Sequence, residues 1–250
     1  MPTYRRRTKK SAPVKKRTYR RKRTTTQYKK RKYNKPKSKN PFRNFTGSNP
    51  FKPRLNVKLT FASSHTLTCS TDYDGFGTPQ TFMLNSLYDP DVTGTGHQPY
   101  LFDQLTPLYS RYKVNGCLVE AMCNDPSAES LIVGAALLNP DNLGFSLSSY
   151  NHSQVLEFPQ TMSKFISNTG SQTVVFRGYI PINQALNWTK TQFRSDNDGT
   201  TAAVGSNPGT KCYLQFAVAN MRSSGAPTVM LRLKLTYYAT FYDRKFLSQS

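Results

Sequence analysis

The sequence predicts an all-β domain, a single antiparallel sandwich or barrel of eight strands, carried behind a basic N-terminal arm. Three observations predict it. From Leu55 onward, short runs alternate apolar and polar residues with a period of two, the mark of a strand with one buried face. Clusters of Gly, Pro, Asn and Asp separate the runs, and almost no sustained helical period lies between them, which argues against βαβ units. Ahead of them, residues 1–54 hold 22 basic side chains and no carboxylate, the first acid being Asp72.

Residues 1–40 form the arm. They contain no Leu, Ile or Phe, and their aromatics are Tyr4, Tyr19, Tyr28 and Tyr33, set among Arg and Lys. A segment so poor in apolar surface cannot offset the entropy of ordering, and it is expected to be disordered on its own. Thr3-Tyr4-Arg5-Arg6-Arg7-Thr8 is echoed by Thr18-Tyr19-Arg20-Arg21-Lys22-Arg23-Thr24. Such a composition suits a flexible polyanion, because guanidinium pairs bidentately with phosphate and a phenol ring stacks on an unpaired base. The candidate nucleic-acid-binding residues are therefore Arg5, Arg6, Arg7, Lys9, Lys10, Lys15, Lys16, Arg17, Arg20, Arg21, Lys22, Arg23, Lys29, Lys30, Arg31 and Lys32, with Tyr4, Tyr19 and Tyr28 as stacking rings. Lys15-Lys16-Arg17, Arg20-Arg21-Lys22-Arg23 and Lys29-Lys30-Arg31-Lys32 are also short basic clusters of the kind nuclear import receptors bind. Residue type does not separate the two roles. With no folded module to present side chains to base edges, the arm is not expected to read base sequence. The plain alternative, a solvated tail without a partner, is disfavoured by 22 cations that no anion compensates.

Residues 41–54 are read as a linker. From Asn34 onward the composition shifts to Pro36, Pro41, Pro50 and Pro53 with Gly47 and several Asn, an extended chain. The folded body, residues 55–250, opens with Leu55, Val57, Leu59 and Phe61 alternating with Asn56, Lys58 and Thr60. Further strands are expected at 81–86, 112–124, 130–138, 162–168, 172–180 and 211–220, the last with Cys212, Leu214, Phe216 and Val218 on its apolar face. The eighth, 229–242, is the clearest. Val229, Leu231, Leu233, Leu235, Tyr237, Ala239 and Phe241 face one way, and Arg232, Lys234, Thr236 and Thr240 the other. The connections 88–110, 139–160 and 181–210 are too long for hairpins and belong at the ends of the sandwich, where partners are met. Their aromatics, Tyr88, Tyr100, Phe102, Tyr109, Tyr150, Phe158, Trp188 and Phe193, are candidates either for contacts between copies or for packing onto their own core.

Charge and length bound the function. The chain carries 35 Lys and Arg against 13 Asp and Glu, a formal net charge of +22. Beyond residue 54 the 13 remaining cations equal the 13 acids, so the surplus belongs to the arm and linker and the body sums to zero. That split disfavours a membrane protein, a secreted disulfide framework and a simple metabolic enzyme. About 200 residues suffice for one domain with a core that needs no metal or disulfide staples. No run approaches the roughly 20 apolar residues of a membrane helix, and charge stands where a secretory signal has its apolar region. The chain is therefore expected in the cytosol or nucleus, with the Asn-x-Ser/Thr triplets at Asn44, Asn151 and Asn187 unused. Cys69, Cys117, Cys123 and Cys212 lack C-x-x-C spacing and are expected as buried free thiols. His65, His97 and His152 stand in no metal-ligand spacing, and nothing local pairs a nucleophile with a base. Asp72-Tyr-Asp74-Gly75 and Asp196-Asn-Asp198-Gly199 fail the EF-hand template and read as Asp-Gly turns. No Gly-rich phosphate loop is present. No catalytic residue, metal or cofactor is assigned.

A basic arm ahead of an eight-stranded antiparallel domain resembles the layout of small icosahedral virus capsid proteins. Asn85-Ser-Leu-Tyr-Asp-Pro-Asp-Val-Thr-Gly-Thr-Gly-His-Gln-Pro-Tyr100, continuing through Phe102-Asp-Gln104 to Tyr109-Ser-Arg-Tyr-Lys-Val-Asn-Gly116, resembles the stretch joining the third and fourth strands in capsid proteins of circular Rep-encoding single-stranded DNA viruses. Tyr237-Tyr-Ala-Thr-Phe-Tyr242 is similar to their last strand, and the arginine-rich start resembles circovirus and cyclovirus capsid proteins. This arm departs from circovirus arms, which are more nearly pure Arg and often carry Trp. The resemblance implies a single eight-stranded jelly roll, sixty copies in a T=1 shell, arms inward and loops outward. It also implies a packaged single-stranded circular DNA genome. Location in the virion follows, with the host nucleus and cytoplasm during infection. The implied partners are other copies of the chain, the single-stranded genome (DNA favoured over RNA) and host nuclear import receptors, with no membrane and no identified attachment factor. Sixty arms would carry about 1,300 positive charges, matching on the order of a thousand phosphates. The alternatives are the coat protein of a small RNA or satellite virus, or a non-assembling basic-tailed nucleic-acid-binding protein. The mark of the latter is basic residues continued onto one face of the body, and the 13-to-13 balance counts against it. A β-sandwich enzyme has the least support.

Overall fold

The alternating runs become strands β1 (Leu55–Thr68), β2 (Gln80–Met83), β3 (Tyr109–Asn124), β4 (Leu131–Leu138), β5 (Thr161–Ile166), β6 (Thr173–Pro181), β7 (Thr201–Ala203), β8 (Tyr213–Asn220) and β9 (Thr228–Arg244). The structure is a computed structural model and describes residues 52–94, 96–125, 129–167, 172–196, 198–221 and 225–245. The strands pair antiparallel in two sheets. One has the order β1-β9-β3-β6, with β7 beside β3, and the other the order β2-β8-β4-β5. Apart from the β4–β5 pair and short β7, each strand lies in the opposite sheet from the one before it. This interleaving is the double Greek key of a jelly roll.

All eight expected strands are present, β2 ending at Met83 short of the expected 86, and pairing with other strands accounts for the additions. β7 lies inside the connection 181–210, where three residues are too few to show a period. β1 runs on through Ser63, Ser64 and His65 to Thr68, past the apolar alternation, because β9 stays in register with it as far as Thr68↔Thr228. Tyr109 opens β3 instead of closing a loop, its buried ring 5.9 Å from that of Phe241.

The core fills the space between the sheets. Val229, Leu231, Leu233, Leu235, Tyr237, Ala239 and Phe241 of β9 are all buried, against Leu214, Phe216 and Val218 of β8 among others. Each Val, Leu or Phe side chain among them contributes about 1.5–3 kcal/mol by leaving water. Tyr237 meets the polar requirement of burial by donating its hydroxyl to the Met83 carbonyl at 2.8 Å, and burial pushes its pKa well above the ordinary phenol value. A second cluster forms on the other side of the β2-β8-β4-β5 sheet, where Phe76, Leu147 and Val155 pack on Ile132, Ala217 and Ala219. The segment around 139–160 therefore covers that sheet's outer face. On the outer face of β1-β9-β3-β6, Lys58, Arg177, Arg232, Lys234 and Tyr238 are exposed among the described residues, while Phe193 packs over it at Lys113.

The long connections carry short helices, α1 (Phe102–Leu105), α2 (His152–Val155), α3 (Ile182–Ala185) and α4 (Lys190–Ser195). Asn151 and Thr189 cap α2 and α4, each in a reciprocal box with Gln154 or Gln192. Among the described residues no helix is long and apolar enough to cross a membrane.

Candidate nucleic-acid interface

The candidate nucleic-acid and import residues, from Tyr4 and Arg5 through Lys32, lie outside the described residues. What the structure describes is the root from which that segment departs. The Lys52 carbonyl accepts a hydrogen bond from the Tyr109 hydroxyl at 2.9 Å, and the Arg54 guanidinium lies 5.3 Å above the Tyr242 ring. Residues 52–54 are thus fastened to the start of β3 and the end of β9.

From that root the strand period builds a cationic face. In β9 the residues between the inward apolar ones include Arg232 and Lys234, both exposed. Lys58 of β1 and Arg177 of β6 are exposed on the same side. Glu120 of β3 stands between Lys234 and Arg177 in register and bridges both, at 3.2 and 3.1 Å. A β-bulge between Val114 and Gly116 changes the phase of β3, so that Tyr112 and Val114 before it and Cys117, Val119 and Ala121 after it all turn in, and Lys113 and Asn115 share the outer face with Glu120. The Asn115 amide donates to the Thr240 hydroxyl at 2.9 Å, which donates to Asn56 Oδ1 at 2.8 Å, a polar link across β3, β9 and β1.

Lys113 is the buried cation of this face. Its ammonium donates to the carbonyls of Phe193 and Asp196 and lies 4.2 Å from the Phe193 ring centroid, which ties the end of α4 to β3. Burial lowers its pKa, and the Asp196 carboxylate opposes that shift. Burial pushes Asp196 up, but hydrogen bonds from Thr200 and from the Gly199 and Thr200 amides, with the nearby Lys113, bring it net below the ordinary carboxylate value. The Asp196 carboxylate is therefore the organiser of an Asp-Gly turn. At the other such site, the Gly75 amide donates to the Asp72 carbonyl at 3.3 Å and Asp74 takes a left-handed φ of 61°.

Where β6 ends, this face deepens into a cavity of about 950 Å³ whose charged lining is Arg54, Arg111, Lys113, Lys190, Arg194 and Asp243. Arg111 also approaches Asp198 at 3.5 Å. Beside the cavity, Tyr179 and Tyr238 meet edge to face at 5.5 Å and remain 53% and 36% exposed, with the Lys58 ammonium 5.8 Å over the Tyr238 ring. The Tyr179 ring occupies space that only Gly116 leaves open, since a Cβ there would lie 2.1 Å from the phenol oxygen.

The body's charges balance in sum but not in place. Of its 13 carboxylates only Glu120 and Asp243 lie in strands, whereas Lys58, Arg111, Lys113, Arg177, Arg232, Lys234 and Arg244 all belong to strands of the β1-β9-β3-β6 sheet. The expectation that a zero sum speaks against a basic face is thus corrected. The other eleven acids sit in the connections, so summation cancels what the fold separates.

The other expected residues divide by packing. Phe102, Tyr109 and Phe193 are buried in their own core, and Trp188 packs against it. Tyr150 and Phe158 form a triad with Phe145, at 5.1 and 4.8 Å from it. Tyr88 and Tyr100 remain exposed, Tyr100 at 77%. Cys69, Cys117, Cys123 and Cys212 are free and buried, and burial raises the thiols of Cys69, Cys123 and Cys212 to about 12. His97 and His152 fasten connections to strands. His97 reaches the Ala62 carbonyl at 2.9 Å, His152 the Ser163 hydroxyl at 3.1 Å, and His65 lies 3.5 Å from Asp91. Within the stretch that carries the family resemblance, Asn85 exchanges hydrogen bonds with Thr210 and Cys212, and Tyr112 donates to Ser206. That stretch clamps two long connections together, a role no spacing along the chain announces.

No protein-family model matches the chain, and no curated protein matches it. Among solved structures it is similar to the 60-mer BFDV capsid protein, at 12% identity over 80% of this chain and 100% of that one, with a TM-score of 0.44. It is also similar to the empty head of turnip yellow mosaic virus, at 10% identity over 80% of this chain and 87% of that one, TM-score 0.43. A third likeness is to mud crab tombus-like virus, at 10% identity over 83% and 100%, TM-score 0.41. At such identities and scores these likenesses decide neither family nor function, and the jelly-roll assignment rests on the strand order itself.

Proposed function

We propose that the chain is the coat protein of a small icosahedral virus. Residues 1–40 act as the packaging and import arm, 41–54 as its linker and 55–250 as the shell domain. Sixty copies close a T=1 shell around a single-stranded circular DNA genome. The observation that carries this reading is the joining of 22 uncompensated cations in residues 1–54 to a jelly roll whose first strand begins at Leu55. Exposed aromatics in the long connections, Tyr88 and Tyr100 above all, suit contacts between copies. The basic clusters from Lys15 to Lys32 suit host import receptors before assembly and the genome after it.

The cationic sheet face favours one other reading, a non-assembling nucleic-acid-binding protein, so assembly and packaging are scored separately. Full-length protein examined by size exclusion and electron microscopy across a salt series forms uniform closed particles on the capsid reading. A monodisperse monomer at every salt concentration overturns it. Sequencing the nuclease-protected nucleic acid inside the particles returns single-stranded DNA, and recovery of RNA alone moves the assignment to an RNA virus coat protein.

A further inference from the structure

We infer that the outer face of the β1-β9-β3-β6 sheet and its cavity form a second, body-borne site for single-stranded nucleic acid, in which cations around the cavity hold phosphates and the Tyr179–Tyr238 pair stacks an unpaired base. The inference deepens the packaging reading and rests on it.

Charge selects an anion. Besides Lys113, whose ammonium is bonded to backbone carbonyls, the cavity is lined by the cations Arg54, Arg111, Lys190 and Arg194 against the one acid Asp243, and the exposed pair Lys190 and Arg194 lies four residues apart on α4, hence on one helical face. The rings select a nucleic acid among anions. Tyr179 and Tyr238 are too exposed to be core residues, and they stand beside the cavity with Lys58 at one edge. Phenol rings next to phosphate-binding cations form the stacking platform that holds single strands without regard to sequence. A base already paired within a duplex does not present its π-face to such rings, so the preference is for a single strand.

Scale and rigidity agree. A volume of about 950 Å³ lies at the top of the roughly 300–1,000 Å³ that takes a drug-sized ligand, room for about two nucleotides. Hydrogen bonds tie the walls together, through the Asn115–Thr240–Asn56 link and through Lys113 holding the end of α4. Arg54, at the cavity, is continuous with the chain that carries the other cations, so a strand caught by the arm is already tethered near this site.

The test is photocrosslinking of full-length protein to a single-stranded oligonucleotide bearing 5-iodouracil, with the crosslinked peptides mapped by mass spectrometry. Crosslinks are expected at Tyr179 or Tyr238 in addition to those at Tyr4, Tyr19 or Tyr28. Lys190→Ala with Arg194→Ala, both exposed, lowers the body crosslinks about tenfold and leaves the arm crosslinks in place. Crosslinks confined to the arm overturn the body site while leaving the packaging role of the arm intact. Crosslinks confined to the body overturn the role of the arm instead. Equal competition for the body site by poly-glutamate and by oligonucleotide reduces it to an unspecific anion trap and overturns the stacking role of the tyrosines.

Discussion

Glu120 shows how a single side chain sets the character of a surface. It bridges Lys234 and Arg177, both more than half exposed, so solvent screening leaves each pair worth at most about 1 kcal/mol. Glu120→Gln is therefore expected to lower stability by less than about 1 kcal/mol in urea titration. It raises single-strand affinity, with a steeper dependence on salt in filter binding, because two more cations become available to phosphate. Lys113 lies at the opposite extreme of burial. Lys113→Met removes charge-assisted hydrogen bonds to two carbonyls and is expected to cost about 1.5–3 kcal/mol, seen as a lowered Tm. Asp196 adds a pH signature. Its pKa is lower folded than the ordinary 3.8, so its stabilising contribution is complete above that value and is lost as pH falls through the folded one. An acid unfolding series on Asp196→Asn loses that part of the slope. The thiols respond at the other end of the scale. With pKa values near 12, Cys69, Cys123 and Cys212 are expected to resist alkylation at pH 8 in the native protein and to react once it is unfolded in guanidinium.

At the level of elements, legibility follows the physics of the period. β9 is readable residue by residue because its apolar face is buried from Val229 to Phe241 and the other carries polar residues, exposed at Arg232 and Lys234, so alternation is written directly into composition. β8 is readable by the apolar face that Cys212, Leu214, Phe216 and Val218 form, but not by a solvent face, since Gln215, Ala217 and Ala219 on the second side are buried as well. β3 carries a phase shift at its bulge, and it is this shift, which alternation does not record, that puts Lys113 and Asn115 on the same face as Glu120. β7 and the continuation of β1 owe their existence to partner strands, a long-range cause with no local trace. The candidate site divides in the same way. Its arm component stands in the sequence as a bare charge run, whereas the cavity brings together Arg54, Arg111, Arg194 and Asp243 from distant parts of the chain. Because β9 is the strand that both β1 and β3 pair with, Leu233→Ala in its middle is expected to cost about 2–5 kcal/mol, measured by chemical denaturation.

For the whole molecule the informative quantity is the placement of charge. A formal +22 divides into a segment with 22 cations and a body of zero sum, and the body divides again into a basic sheet face and acidic connections. On the proposed shell reading, sixty neutral bodies would pack side by side without the repulsion that sixty basic globules would meet, and each copy would still offer cations to a polyanion. The claim that this division serves a closed shell is tested most directly by the mass of the assembled species. Analytical ultracentrifugation of the full-length protein, after treatment with nuclease, is predicted to give one sharp boundary whose protein mass is sixty chains of 28.3 kDa, about 1.7 MDa. A single boundary at the mass of one chain, unchanged from low to high salt and with or without oligonucleotide, would contradict the account.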